Sequence, residues 1–113
     1  MVVLPPVELN MSAVALTDLV HVIRSKNAGP TLLTLDVFFR DRHGYERAIQ
    51  SPQLSMASVA HLYGCAPARM SRYDMADLFA IKFTLPRKVC AGSPGDGDVY
   101  GAQQHGPLLG VML

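Results

Sequence analysis

Two short strings hold most of the side chains in this 113-residue sequence that can do chemistry. The first, R-S-K-N-A-G-P, places Arg24, Ser25, Lys26 and Asn27 ahead of Gly29, between the apolar runs L-T-D-L-V-H-V-I and T-L-L-T-L-D-V-F-F. Arginine offers a planar fork and lysine a point charge, and a turn at Asn27–Gly29 can aim backbone N–H groups the same way. The string can therefore hold an anion. One charge-assisted hydrogen bond contributes about 1.5–3 kcal/mol, so two or three suffice to orient a carboxylate or phosphate. The competing reading is a plain turn with solvated cations, in which Asn27 and Gly29 supply left-handed dihedrals and Pro30 starts a strand. Local sequence slightly favours the turn.

The second string, Y-G-A-Q-Q-H, brings Tyr100, Gln103, Gln104 and His105 beside glycines that let a ligand approach the backbone. A histidine such as His105 can serve as acid or base, although a lone loop histidine usually has no chemical role. Asp36 and Lys82 fall on the mixed faces of two expected strands. If those strands are neighbours, the pair is a cross-strand ion pair or the floor of a polar site. His105, Lys82 and Asp36 are thus the candidate catalytic groups. Arg24, Ser25, Lys26, Asn27, Gly29, Tyr100, Gln103 and Gln104 are the candidate ligand contacts.

Other signatures fail. G-D-G-D-V-Y-G misses the dinucleotide pattern G-x-G-x-x-G and follows no strand-to-helix context, and no phosphate-binding G-x-x-x-x-G-K-[ST] occurs. Asp96 and Asp98 fall short of a calcium loop, which needs more oxygens at fixed spacing. His21, His43 and His61 lack ligand spacing, and no G-x-S-x-G nucleophile elbow is present. No metal or cofactor is expected.

The elements that must position these groups are mixed. In T-L-L-T-L-D-V-F-F-R, Thr31, Leu33, Leu35, Val37 and Phe39 alternate with Leu32, Thr34, Asp36, Phe38 and Arg40, a strand with one apolar face. In D-L-F-A-I-K-F-T-L-P-R, Phe79, Ile81, Phe83 and Leu85 alternate with Ala80, Lys82 and Thr84, and Pro86 stops the strand. Segment 16–23 is a tie between helical spacing and β-branched composition. D-R-H-G-Y-E-R-A-I-Q reads as polar with a short helical turn. S-P-Q-L-S-M-A-S-V-A-H-L-Y-G reads as one helix: Ser51 caps it, Pro52 opens it, Gly64 ends it, and Met56, Val59, Ala60 and Tyr63 form its buried stripe. A glycine-rich loop holding Gly92, Gly95, Gly97, Gly101 and Gly106 precedes a final L-L-G-V-M-L strand or helical turn. An α+β sandwich, with helices on one face of a mostly antiparallel sheet, is the economical arrangement.

Composition bounds the rest. Half of the residues are hydrophobic and 17% are charged, which fits one globular domain over 14–113. So little charge points to a surface partly covered by another chain, a homo-oligomer or a different subunit. A net charge of +1 excludes a nucleic-acid footprint. Cys65 and Cys90 form no disulfide framework. The opening M-V-V-L-P-P-V-E-L-N has no basic region and is broken by Pro5 and Pro6, so it fails as a signal peptide. It reads as an extended arm over 1–13, with Met11 as an alternative start. No membrane span is present, and a cytoplasmic location is expected.

The blocks H-V-I-R-S-K-N-A-G-P-T-L-L-T-L-D-V-F-F, A-I-K-F-T-L-P-R and D-V-Y-G-A-Q-Q-H-G-P-L-L cover most of residues 17–109 in order. Together they resemble a family of small bacterial proteins of uncharacterised function. That family is similar to the ferredoxin-fold C-terminal domain of acyclic terpene utilisation proteins, where an R-S-G-D-K-G loop joins two segments of the sheet. Arg24 and Ser25 match that loop; Lys26 and Asn27 depart from its Asp and Lys. The resemblance implies a ferredoxin-like α+β fold with segment 16–23 as a strand. It also implies a large partner subunit of the terpene-utilisation type. The small chain would complete the partner's site for hydration or elimination on a carboxylate or acyl-coenzyme A substrate, and would not be active alone. The alternative is a self-associating, non-catalytic domain that binds an anionic effector.

Overall fold

The computed structural model describes residues 13–87 and 105–113. Its elements are α1 (Leu16–Leu19), β1 (Val20–Asn27), β2 (Leu32–Phe39), α2 (Arg42–Gln50), α3 (Met56–Tyr63), β3 (Ser71–Met75) and β4 (Ala80–Pro86), with 3₁₀ turns between several of them. The four strands form one antiparallel sheet in the order β1-β2-β4-β3. Two hairpins are joined by the helical crossover from β2 to β3, which leaves β2 and β4 central. This is an α+β fold, consistent with a ferredoxin-like arrangement.

The alternation in β2 and β4 builds the core. Leu33, Leu35, Val37 and Phe39 share one face with Ile81, Phe83 and Leu85, all buried. Leu16, Tyr45, Ala48, Leu54, Val59, Ala60 and Leu108 of the helical layer close over them. Burying each large side chain contributes about 1.5–3 kcal/mol. The hairpin between β1 and β2 turns at Gly29, whose φ of +104° suits a residue without Cβ, and the Ala28 N–H donates to the Leu32 carbonyl at 3.0 Å.

Segment 16–23 is neither all helix nor all strand. Leu16–Leu19 make one helical turn, then the chain extends from Val20, with a register shift between Val20 and Val22. The polar segment after Arg40 is a full nine-residue helix, because the Asp41 carboxylate accepts the Gly44 N–H at 2.8 Å and caps it. The helix expected from Ser51 is divided. Ser51 caps a 3₁₀ turn, Pro52–Leu54, and Ser55 caps α3 by accepting the Ser58 N–H at 3.2 Å. The break rotates the expected stripe: Val59 and Ala60 are buried, Tyr63 is half-buried and Met56 is exposed. Gly64 ends α3 in the left-handed conformation, as expected, with φ +67°.

Strand β3 is not among the strands expected from the sequence. Arg72 fixes it to the helical layer by donating to the carbonyls of Leu54 at 3.0 Å and Ile49 at 3.1 Å, while Asp74 pairs with it at 2.7 Å. The C-terminal segment is both of the expected forms in succession: a 3₁₀ turn over Gly106–Gly110, then a bridge from Met112 to Ala15. The expected glycine-rich loop up to Gly101, Cys90, and the expected arm apart from Ala13 lie outside the described residues.

Candidate functional site

The helices cover one face of the sheet, and among the described residues no helix packs on the other. Strand register arranges the side chains of that open face in rows. Arg24 stands opposite Asp36, Asp36 opposite Lys82, and Lys82 opposite Tyr73, a single row across all four strands. One step along, Lys26, Thr34, Thr84 and Ser71 form a second row. On the other side of the charged row lie Val22, Phe38, Ala80 and Met75. Directly opposite side chains have Cβ atoms about 4.5–5.5 Å apart, so each row is a set of near neighbours.

The charges are unevenly committed. Arg24 Nε donates to Asp36 Oδ2 at 3.3 Å, and its guanidinium carbon lies 5.0 Å from the centre of the Phe38 ring. The Asp36 side chain is only 6% exposed although no described helix packs on its face, while that of Arg24 is 58% exposed. A pair this open to water is worth roughly 1 kcal/mol or less. Lys82 is half-buried, and among the described residues no carboxylate lies within 4.0 Å of its ammonium. The two strands are neighbours, the condition on which Asp36 and Lys82 were expected to meet, but the ion pair of Asp36 goes to Arg24. Among the described residues, three cations, Arg24, Lys26 and Lys82, face one carboxylate, Asp36, an excess of two positive charges on this face.

The R-S-K-N string does not converge as a loop. Residues 24–27 are strand, so their side chains alternate. Arg24 and Lys26 point to the open face. Ser25 is buried on the core side, and Asn27 accepts a hydrogen bond from Arg87 Nη1 at 2.7 Å. Gly29 lies in the turn beyond. His105 opens the 3₁₀ turn whose Leu108 is buried in the core, so it belongs to the helical side of the sheet, away from Asp36 and Lys82. Its Nδ1 is buried and has no hydrogen-bond partner among the described residues. Tyr100, Gln103 and Gln104 lie outside the described residues.

The face also recruits residues that the sequence reading passed over: Tyr73, Ser71 and Thr84. Alternation in S-R-Y-D-M, with Ser71, Tyr73 and Met75 on one side and Arg72 and Asp74 on the other, was the available signal. On the helical side, a groove of about 960 Å³ runs between Ser51, Ala57, His61, Val111 and Leu113. His61 is the one titratable side chain among the described residues lining it. The described residues contain no group of three or more His, Cys, Asp or Glu placed to hold a metal ion, and no helix long and apolar enough to cross a membrane.

The open face, with its cationic centre and hydroxyl row, suits recognition of an anion better than acid–base chemistry unaided. Asp36, the one carboxylate on it among the described residues, is occupied by Arg24. Neither the curated proteins nor the solved structures contain a match to the chain. Residues 16–112 match one family, and the chain belongs to it: Domain of unknown function (DUF4387).

Proposed function

We propose that this chain is the small subunit of a two-component enzyme. It lays its open sheet face against a large subunit of the acyclic terpene utilisation type. There it supplies cationic and hydroxyl contacts to a carboxylate or acyl-coenzyme A substrate undergoing hydration or elimination. The observation that carries the reading is the row Arg24–Asp36–Lys82–Tyr73 on a sheet face that the described helices leave uncovered. Val22 and Leu32 beside that row are each 40% exposed and Tyr73 at its end is 55% exposed, so apolar surface flanks a charged centre. A protein interface has the reverse order, an apolar core and a polar rim, so a charged centre fits a face that also meets a ligand. The α+β fold agrees with the resemblance to the ferredoxin-fold domain of the terpene-utilisation proteins, although fold alone does not fix function.

Self-association through this face is disfavoured, since two copies would each bring an excess of two positive charges to the contact. The reading implies a cytoplasmic location. Its test is co-expression with a terpene-utilisation-type large subunit from the same organism. The two chains should co-purify, and the large subunit's activity should depend on the small one. Failure to co-purify, with the large subunit fully active alone, would overturn the reading.

A further inference from the structure

The charged row divides into a committed half and an available half. Arg24 is held between the Asp36 carboxylate at 3.3 Å and the Phe38 ring at 5.0 Å. Lys82 stands directly opposite both Asp36 and Tyr73, yet among the described residues it has no carboxylate within ion-pair distance. On the side of Lys82 away from Arg24, register assembles a square of four: Lys82 beside Tyr73, and Thr84 beside Ser71. Each of these side chains can donate a hydrogen bond, and none is acidic. The carboxylate of the neighbouring strand, Asp74, alternates to the opposite face, where Arg72 binds it at 2.7 Å.

Adjacent strands lie about 4.8 Å apart and residues two positions apart along a strand about 6.6 Å, so the square has the footprint of one oxyanion with its hydrogen bonds. A lysine with three donors, flanked by three hydroxyls and facing an Asp36 carboxylate that Arg24 already engages, is complementary to a carboxylate or a phosphate.

We infer that Lys82, with Tyr73, Thr84 and Ser71, binds the oxyanion of the ligand, and that Arg24 is a positioning residue that keeps Asp36 from capturing Lys82. The inference rests on the reading of the open face as the ligand side. It concerns the isolated chain, so it is judged separately from partner binding. Asp36 stands between Arg24 and Lys82 in the row, and whichever cation it engages is less available to a ligand. Removing Arg24 alone therefore disables Lys82 indirectly. Removing Arg24 and the Asp36 charge together leaves the excess of two positive charges on the face unchanged and frees Lys82.

The test is a chemical-shift titration of backbone amides in the full-length chain, with inorganic phosphate in one series and acetate in another. The amide spectrum also shows that each variant is folded. Saturable shifts centred on Tyr73, Lys82, Thr84 and Ser71 are expected, and the anion bound more tightly identifies the ligand's group as phosphate or carboxylate. Lys82→Met should weaken binding about tenfold or more, the loss of one charge-assisted hydrogen bond, and Lys82→Arg should retain most of it. Arg24→Met should weaken binding as well, and the double variant Arg24→Met, Asp36→Asn should restore it to within about threefold of the parent. A double variant as weak as Arg24→Met would make Arg24 the direct contact and overturn the inference. So would shifts centred on Arg24 and Lys26, or no saturable response to either anion. Loss of co-purification with a large subunit, by contrast, would count only against the two-component reading.

Discussion

At the scale of single residues, two ion-paired arginines in different surroundings do different things. Arg72, its side chain 15% exposed, spends its donors on the carbonyls of Leu54 and Ile49 and on Asp74. Both carbonyls lie near ends of helical segments, where backbone acceptors lack intrahelical partners, so Arg72 ties the crossover to the edge strand. Arg72→Ala should lower the unfolding free energy by about 2–3 kcal/mol, read from urea denaturation. Arg42, paired with Glu46 at 3.8 Å with both side chains mostly exposed, is the control: Arg42→Ala should change stability by less than about 0.5 kcal/mol. Tyr63 adds a pH dependence. Burial raises its hydroxyl above the ordinary value near 10. The folded state therefore holds the phenolic proton more tightly than the unfolded state does. The stabilisation this gives is complete below about pH 10 and is lost as pH rises above it, because the unfolded chain ionises first. Denaturation midpoints should fall on going from pH 9 to pH 11, and the fall should be shallower in Tyr63→Phe.

At the scale of elements, caps decide what hydrophobic spacing leaves open. Ser51 and Ser55 each accept a backbone N–H, at 3.2 Å, and between them they cut one expected helix into a 3₁₀ turn and α3. Ser55→Ala should cost about 1 kcal/mol, and Gly64→Ala a similar amount, since Gly64 ends α3 at φ +67°. Thermal or urea unfolding of the two single variants checks both. Strands β2 and β4 were legible in the sequence because each has one wholly apolar face, and period-two alternation then admits a single register of faces. From that alternation the placement of Asp36 and Lys82 on a common face followed. Strand β3 was not legible. It is five residues long, lies at a sheet edge and is largely polar, so burial leaves little pattern in it. Residues 24–27 were read towards a loop because polar side chains occupy both faces of β1 near its turn. An edge strand tolerates that where a central one does not. Splitting them by alternation sends Arg24 and Lys26 one way and Ser25 and Asn27 the other, and the convergence expected of a loop is lost.

At the scale of the whole molecule, the sheet separates two chemistries. The helical side holds the core, His105 and an apolar groove along α3 and the C-terminal segment. The open side holds a cationic row beside hydroxyls. A nearly balanced overall charge of +1 thus conceals a face on which the described residues carry two positive charges in excess. Composition alone cannot show this, because it depends on register. Electrostatic complementarity of that kind sets the encounter rate and orientation of partners more than raw affinity. Association with an acidic surface or anionic ligand should accordingly weaken as salt screens the charges beyond a Debye length of about 8 Å at physiological ionic strength. The most direct measurement is capture of a terpene-utilisation-type large subunit by tagged chain carrying either Lys82→Glu on the open face or His61→Glu in the groove. Lys82→Glu should abolish capture and His61→Glu should retain it. Full capture with Lys82→Glu, or loss confined to His61→Glu, would contradict the open-face reading.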